Sequence, residues 1–277
     1  MKKRKSRHRR PVRFLRKLVY QTLLDRGRAK TTLFVFGCQR SGTTVFTQLF
    51  QHDLASKVYG EKGLSRNEGD ERDRRFRLLP PADIRRRTAG ERASLLVSKP
   101  LVESQNARQI LDALPESRGV WMVRAFRDVA YSSQRRFSRE TAMRNMRAIV
   151  TSDAETSFAS ENVSDDVRKV VERYFSEDMS GDDAQILFWF VRNQLYFDQV
   201  LENHERVLLC AYEHLVADPE HVMRRVYRFL GRDYPGAAMT AGVHNKSVDR
   251  NIKLDATPAL VELCESLQGK LFSLAKG

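Results

Sequence analysis

One segment constrains this chain more than any other. Thr31–Gly37 (TTLFVFG) is β-branched and aromatic and stops at a glycine. After Cys38-Gln39-Arg40-Ser41-Gly42 comes Thr43-Thr44, with helical spacing through Val45 and Leu49. A run that is apolar on both faces reads as a buried strand of a parallel sheet. A glycine turn between such a strand and a helix is the context of a phosphate-binding loop. Gly37 and Gly42 have the spacing of G-x-x-x-x-G-K-[ST], but Thr43 stands where that motif has lysine. The cradle of backbone N–H groups is kept, while the cation that reaches the β- and γ-phosphates is lost. ATP or GTP hydrolysis is therefore disfavoured. Arg40 brings a different cation into the loop, a rigid fork suited to phosphate or sulfate oxygens.

The remaining pattern alternates strands and helices. Leu95–Ser98, Gly119–Arg124 and Arg206–Tyr212 read as further strands, each followed by a helical pattern at Ala107–Leu114, from Val129, and at Pro219–Leu230. This predicts an α/β fold with a P-loop NTPase-like central parallel sheet flanked by helices, in one domain over residues 31–277. Two stretches break the alternation. Lys62–Arg92 is charged and contains Pro80-Pro81, and Thr151–Asp183 is acidic and rich in Ser and Asp. Both are expected to be surface insertions or lids.

A second anion-binding cluster runs from Arg124 to Ser132 (RAFRDVAYS). Arg124 should end a strand and Ser132 should lie one or two turns into the next helix, with Asp128 as its N-cap. Both would face the carboxyl edge of the sheet, where α/β proteins bind ligands. Two anion sites on one edge, without the P-loop lysine, suggest a nucleotide phosphorylated at two separate positions.

Charge divides the chain unevenly. The net charge is +14, yet residues 1–30 hold 13 Lys/Arg against Asp25 alone, which leaves 36 basic and 34 acidic residues in the rest. The basicity belongs to an N-terminal leader, so no specific nucleic-acid partner is expected. Within the leader, Val12, Leu15, Val19 and Leu23 form one helical stripe, joined by Phe14 and Leu18. Such a helix could lie on an anionic membrane surface; the plainer expectation is that its apolar stripe packs on the domain. Three cysteines, Cys38, Cys210 and Cys264, give no disulfide framework and no metal-ligand spacing, which fits a cytoplasmic location, peripheral to the membrane at most.

These motifs resemble the sulfotransferase superfamily, which uses 3′-phosphoadenosine 5′-phosphosulfate (PAPS). QRSGTT is similar to the family's 5′-phosphosulfate loop, and R-x-x-x-D-V-A-x-S from Arg124 to Ser132 to its 3′-phosphate motif. Lys99-Pro100, Trp189 and Asn193, Tyr212-Glu213-His214-Leu215, Pro219 and Phe229-Leu230-Gly231 follow in the family's order. The resemblance implies that Gln39, Arg40, Ser41, Gly42, Thr43 and Thr44 hold the 5′-phosphosulfate. It implies that Arg124 and Ser132 hold the 3′-phosphate, with Lys246 and Ser247 covering that side. Many members carry Lys where this chain has Arg40; the bacterial carbohydrate and protein-tyrosine types match it best in motif detail, and the latter also use Arg. Those enzymes place a catalytic Gly-Glu one helix later, and Gly60-Glu61 falls at nearly that spacing. Glu61 is thus the candidate general base and Glu103 the reserve, since no His follows the second strand. The implied reaction is in-line sulfuryl transfer to a hydroxyl of a carbohydrate, lipid-linked or small-metabolite acceptor. Bisphosphate nucleotide is the product and no metal is required. A P-loop-type nucleotide kinase, or a non-catalytic protein binding polyanions through its basic end, are the competing readings.

Overall fold

The computed structural model describes residues 9–60, 63–67, 76–153, 157–244, 248 and 252–276. In chain order the elements are α1 (Arg9–Leu23), β1 (Thr31–Gly37), α2 (Thr43–Leu49), β2 (Ser56–Val58), β3 (Ser65–Asn67), β4 (Phe76–Leu78) and α3 (Pro81–Ala89). Then follow β5 (Leu95–Ser98), α4 (Ala107–Ala113), β6 (Ser117–Val123), α5 (Phe126–Gln134), α6 (Arg139–Val150), α7 (Asp165–Tyr174) and α8 (Gly181–Asp198). The chain closes with β7 (Val207–Ala211), α9 (Tyr212–Ala217), α10 (Pro219–Phe229) and α11 (Pro258–Leu274).

Five strands form one parallel sheet in the order β2-β5-β1-β6-β7. β1 sits at its centre, which is why residues 32–37 are buried and residues 33–36 are apolar on both faces. Phe34, Phe36, Leu96, Trp121 and Val123 point into one core layer with Phe126, Trp189, Leu195 and Leu267. Leu33, Val35, Val97, Val120 and Met122 point into the other, with Phe46, Leu49, Val226 and Tyr227. The sheet therefore holds the carboxyl ends of β1, β5 and β6 side by side, each strand fixed by helices on both faces.

Three expectations need correcting. The Lys62–Arg92 stretch is not all surface, since Leu64 and Ile84 are buried in the first core layer. The acidic Thr151–Asp183 stretch is no simple surface insertion: α7 buries Val167 and Val171, and Met179 joins the same core. Its Ser and Asp residues are helix-start chemistry. Ser164 caps α7 with Asp165 and Asp166 in the first turn, and Ser180 caps α8 with Asp182 and Asp183. The leader helix is also inverted. α1 turns Arg13, Lys17 and Gln21 to the domain, where Lys17 Nζ donates to the Ser56 carbonyl at 2.7 Å and Gln21 Nε2 to the Leu54 carbonyl at 2.8 Å. Phe14, Leu15, Val19 and Leu23 face outward. The segment beneath offers bare carbonyls rather than an apolar groove, so the polar side of the helix is the side that binds.

Candidate active site

The loop after β1 owes its shape to two glycines. Gly37 has φ 123°, and a Cβ there would lie 2.3 Å from the Met122 carbonyl oxygen. Gly42 has φ 79°, and its Cβ would meet the Tyr212 ring at 2.0 Å. Neither position admits a side chain, because backbone or a packed ring already fills the space. Between them Arg40 holds a positive φ of 71°, a conformation that costs a non-glycine residue energy and that clusters at functional sites. Ser104 Oγ donates to the Gly37 carbonyl and accepts from the Gly37 N–H, which fixes the end of β1.

Two sequence motifs far apart in the chain meet here. Arg40 Nε donates to Ser132 Oγ at 3.0 Å, and Arg124 Nη1 donates to the Arg40 carbonyl at 3.2 Å. Arg124 is buried, lies over the Tyr212 ring with its guanidinium carbon 4.8 Å from the centroid, and reaches Asp128 at 3.5 Å. Trp189 Nε1 donates to the Arg124 carbonyl at 2.9 Å, so a helix packed on the opposite core layer holds the strand end. Asp128 lies inside the first turn of α5 rather than at its N-cap, which is Ala125. The Ala125 and Phe126 N–H groups are taken by Glu213 Oε1 and Gln268 Oε1, which leaves Asp128 to face Arg124. Burial pushes the Glu213 carboxyl above its usual pKa, against the opposing pull of the Ala125 N–H and Arg124.

At the next strand end, Lys99 Nζ donates to Thr44 Oγ1 at 2.9 Å. Gln39 and Lys99 together border a cavity of about 440 Å³ whose walls are largely Phe76, Leu101, Phe137, Phe158 and Phe188. Ser41 Oγ and Gln39 Oε1 are buried and have no hydrogen-bond partner among the described residues. A buried polar atom left unpaired costs about 1–3 kcal/mol, so the loop carries hydrogen-bonding capacity that its own fold does not use.

Residues 30–254 match the sulfotransferase domain family. The chain belongs to that family. Its fold is similar to the sulfotransferase domain from the curacin biosynthetic pathway, at 15% identity and TM-score 0.52, covering 89% of this chain and 99% of that one. A sulfotransferase from Alicyclobacillus acidocaldarius aligns at 16% identity and TM-score 0.46, covering 90% and 95%. The sulfotransferase domain of the Synechococcus PCC 7002 olefin synthase aligns at 18% and 0.46, covering 88% and 96%. No curated protein matches the chain.

In this sulfotransferase, Gln39 to Thr44, Arg124 and Ser132 therefore occupy one edge of the sheet. Glu61, Lys246 and Ser247 lie outside the described residues. Gly60 and Gly63, which flank Glu61, are joined by a backbone hydrogen bond of 2.8 Å, and Ser65 just beyond lines the cavity. Glu103, the reserve base, is committed elsewhere. Burial alone would raise its pKa, but Arg77, Asn106 and the Leu78 N–H hold it below the usual carboxylate range. Arg77 clamps Glu103 at 2.6 Å and Glu161 at 2.6 Å, tying β4 to the 101–106 turn and the 158–160 turn. A carboxylate so satisfied is a poor proton acceptor; it braces the cavity wall. Among the described residues that line the cavity there is no carboxylate and no histidine. In the sequence, Lys99 stands out only through the family resemblance. Its position at the junction of loop and cavity follows from β5 pairing beside β1, which spacing along the chain does not reveal.

Proposed function

We propose that this sulfotransferase moves a sulfuryl group from PAPS to an acceptor hydroxyl. The observation that carries the reading is the loop itself: Arg40 bonds both Ser132 and Arg124 of the second motif, next to a buried Ser41 hydroxyl that has no partner among the described residues. These groups fit an anionic donor, since a hydroxyl, loop N–H groups and a guanidinium are all donors. When bound, the donor supplies an electrophilic sulfuryl group with a bisphosphate nucleotide as leaving group.

Arg40 would stabilise charge that grows on the leaving 5′-phosphate, with Gln39, Ser41, Gly42, Thr43 and Thr44 forming the cradle. Arg124 and Ser132 would take the 3′-phosphate, and Lys246 and Ser247 would cover it. Lys99, bonded to Thr44 and bordering the cavity, would hold positive charge between donor and acceptor. Glu61 would accept the proton of the attacking hydroxyl. Because sulfuryl transfer resembles phosphoryl transfer in its loose transition state, positioning and charge do most of the catalysis.

The cavity favours an acceptor whose hydroxyl sits on an aryl or alkyl body, whether lipid-linked or a small metabolite, over a bare carbohydrate, because its walls offer rings and methyl groups. Buried free thiols at Cys38, Cys210 and Cys264 support a reducing, cytoplasmic setting. The test is transfer of labelled sulfate from PAPS to a panel of an aryl alcohol, an alkyl alcohol and a hexose. Labelled product with the first two sustains the reading; labelling of the hexose alone contradicts the acceptor class. No transfer by a protein that binds bisphosphate nucleotide would place its acceptor outside all three classes.

A further inference from the structure

The outward face of α1 is its apolar one. Phe14 is 70% exposed, Leu15 59%, Val19 49% and Leu23 72%, and Leu24 continues the patch just past the helix end. In water alone this orientation leaves apolar area exposed to solvent, which is unfavourable. The chain instead keeps a cation under the helix. Lys17 bonds to the Ser56 carbonyl and hydroxyl, and burial lowers its pKa to about 8 despite the nearby Asp53 carboxylate.

A second feature lies along the flank of the same helix. A groove of about 510 Å³ is bordered by Arg13, Arg16, Arg28 and Arg232, with Asp53 and Asp233 as its acids. Asp53 is occupied by the Tyr227 hydroxyl and the Ala55 N–H. Arg16 and Arg28 have no ion-pair or hydrogen-bond partner for their side chains among the described residues. The leader's sole acid, Asp25, is buried against the Ser94 N–H and hydroxyl, at 2.8 Å each. What remains on this side of the molecule is an apolar ridge edged by arginines and one exposed acid, Asp233, with a strongly basic segment before it. Among the described residues no helix is long and apolar enough to cross a membrane.

We propose that α1 and the arginine groove form a docking surface for an anionic phospholipid membrane. The ridge enters the headgroup region and the arginines take the lipid phosphates, the arrangement by which interfacial helices combine apolar burial with charge attraction. Charge complementarity selects this occupant. A second copy would set one basic leader against another, and a purely apolar protein face would leave Arg16 and Arg28 without counter-charge.

Sedimentation of the full chain with lipid vesicles tests the proposal. The protein should pellet with vesicles of phosphatidylcholine and phosphatidylglycerol at three to one, and stay in solution with phosphatidylcholine alone. The variant carrying Leu15→Glu, Val19→Glu and Leu23→Glu should partition at least tenfold more weakly, and so should Arg16→Glu with Arg28→Glu. All these positions are exposed and distant in sequence from the nucleotide motifs, so a retained melting shift with adenosine 3′,5′-bisphosphate reports an intact fold. A local probe adds position: the two native tryptophans, Trp121 and Trp189, are buried, so blue-shifted emission of Phe14→Trp on vesicles reports insertion of the ridge. Equal partition of the triple-Glu variant would overturn the proposal, because charge alone would then suffice. So would absence of binding to anionic vesicles, or a concentration-dependent dimer that the triple-Glu variant abolishes.

Discussion

The substitution Gly42→Ala separates two costs that the loop geometry predicts. The first is backbone strain: at φ 79° an L-residue is in the left-handed region, which costs about 1–2 kcal/mol. The second is collision. The new Cβ would lie 2.0, 2.6 and 2.8 Å from Cδ2, Cε2 and Cγ of Tyr212, where ordinary contact needs well over 3 Å. The ring must move, and displacing a packed ring costs about 1–3 kcal/mol. Together the loss is about 3 kcal/mol, which for a domain of this size lowers Tm by roughly 6–12 °C. Gly231→Ala is the internal control, since Gly231 has φ 65° and nothing within 4 Å of its Cβ. It should show the backbone cost alone. The ring that Gly42→Ala displaces also carries Arg124 at 4.8 Å, so affinity for adenosine 3′,5′-bisphosphate should fall at least tenfold in that variant and stay unchanged in Gly231→Ala. Calorimetric unfolding and nucleotide titration read both effects. Equal Tm losses in the two variants, with nucleotide affinity intact in both, would refute the claim that Tyr212 is packed against the loop and supports Arg124.

Four further outcomes follow from the same geometry. Arg40→Ala should lower turnover about 10²–10³-fold with a smaller change in donor affinity, the range for removing one charge-stabilising donor, as read in steady-state kinetics. Glu61→Gln should remove most activity at saturating donor while leaving nucleotide binding intact; full activity would exclude it as the base. Phe188→Asp should raise KM for an aryl alcohol and leave KM for PAPS unchanged, because Phe188 lines the cavity and not the loop. Glu103→Gln should destabilise the fold by about 2–3 kcal/mol at neutral pH, since its charge-assisted bonds to Arg77 are lost. Because Glu103 titrates below its ordinary value of 4.5, that contribution is present above about pH 4.5 and is lost as pH falls through the folded-state pKa. The stability gap between wild type and variant should accordingly close in acid.

The sheet and the loop could be read directly from the sequence because they obey local rules. Residues 33–36 are all apolar since β1 lies at the centre of the sheet, and Gly37 and Gly42 mark the two close approaches that exclude a Cβ. The resemblance carried by QRSGTT and by Arg124 to Ser132 led to the family that the domain match then showed. What could not be read had non-local causes. The three residues of β2 give no periodicity, and the strand exists only because β5 pairs with it. The acids of Thr151–Asp183 look like a solvated lid by composition, although Ser164 and Ser180 make them the starts of two core helices. The stripe of α1 was visible, but its direction was not, because the carbonyls of Leu54 and Ser56 that turn it outward belong to another segment. Position alone makes Glu103 available as a base; that Arg77, 26 residues away, binds both its oxygens is a contact the sequence does not show.

The central claim is that Arg40 and Arg124 serve one nucleotide phosphorylated at two positions. Isothermal titration of the wild-type chain and of Arg124→Ala with adenosine 3′,5′-bisphosphate, AMP and ATP–Mg²⁺ tests it most directly. Wild type should bind the bisphosphate at least tenfold more tightly than AMP, and Arg124→Ala should lower the bisphosphate affinity to the level of AMP while leaving AMP affinity nearly unchanged. Equal affinities of the wild type for bisphosphate and AMP, or preferential binding of ATP–Mg²⁺, would contradict it.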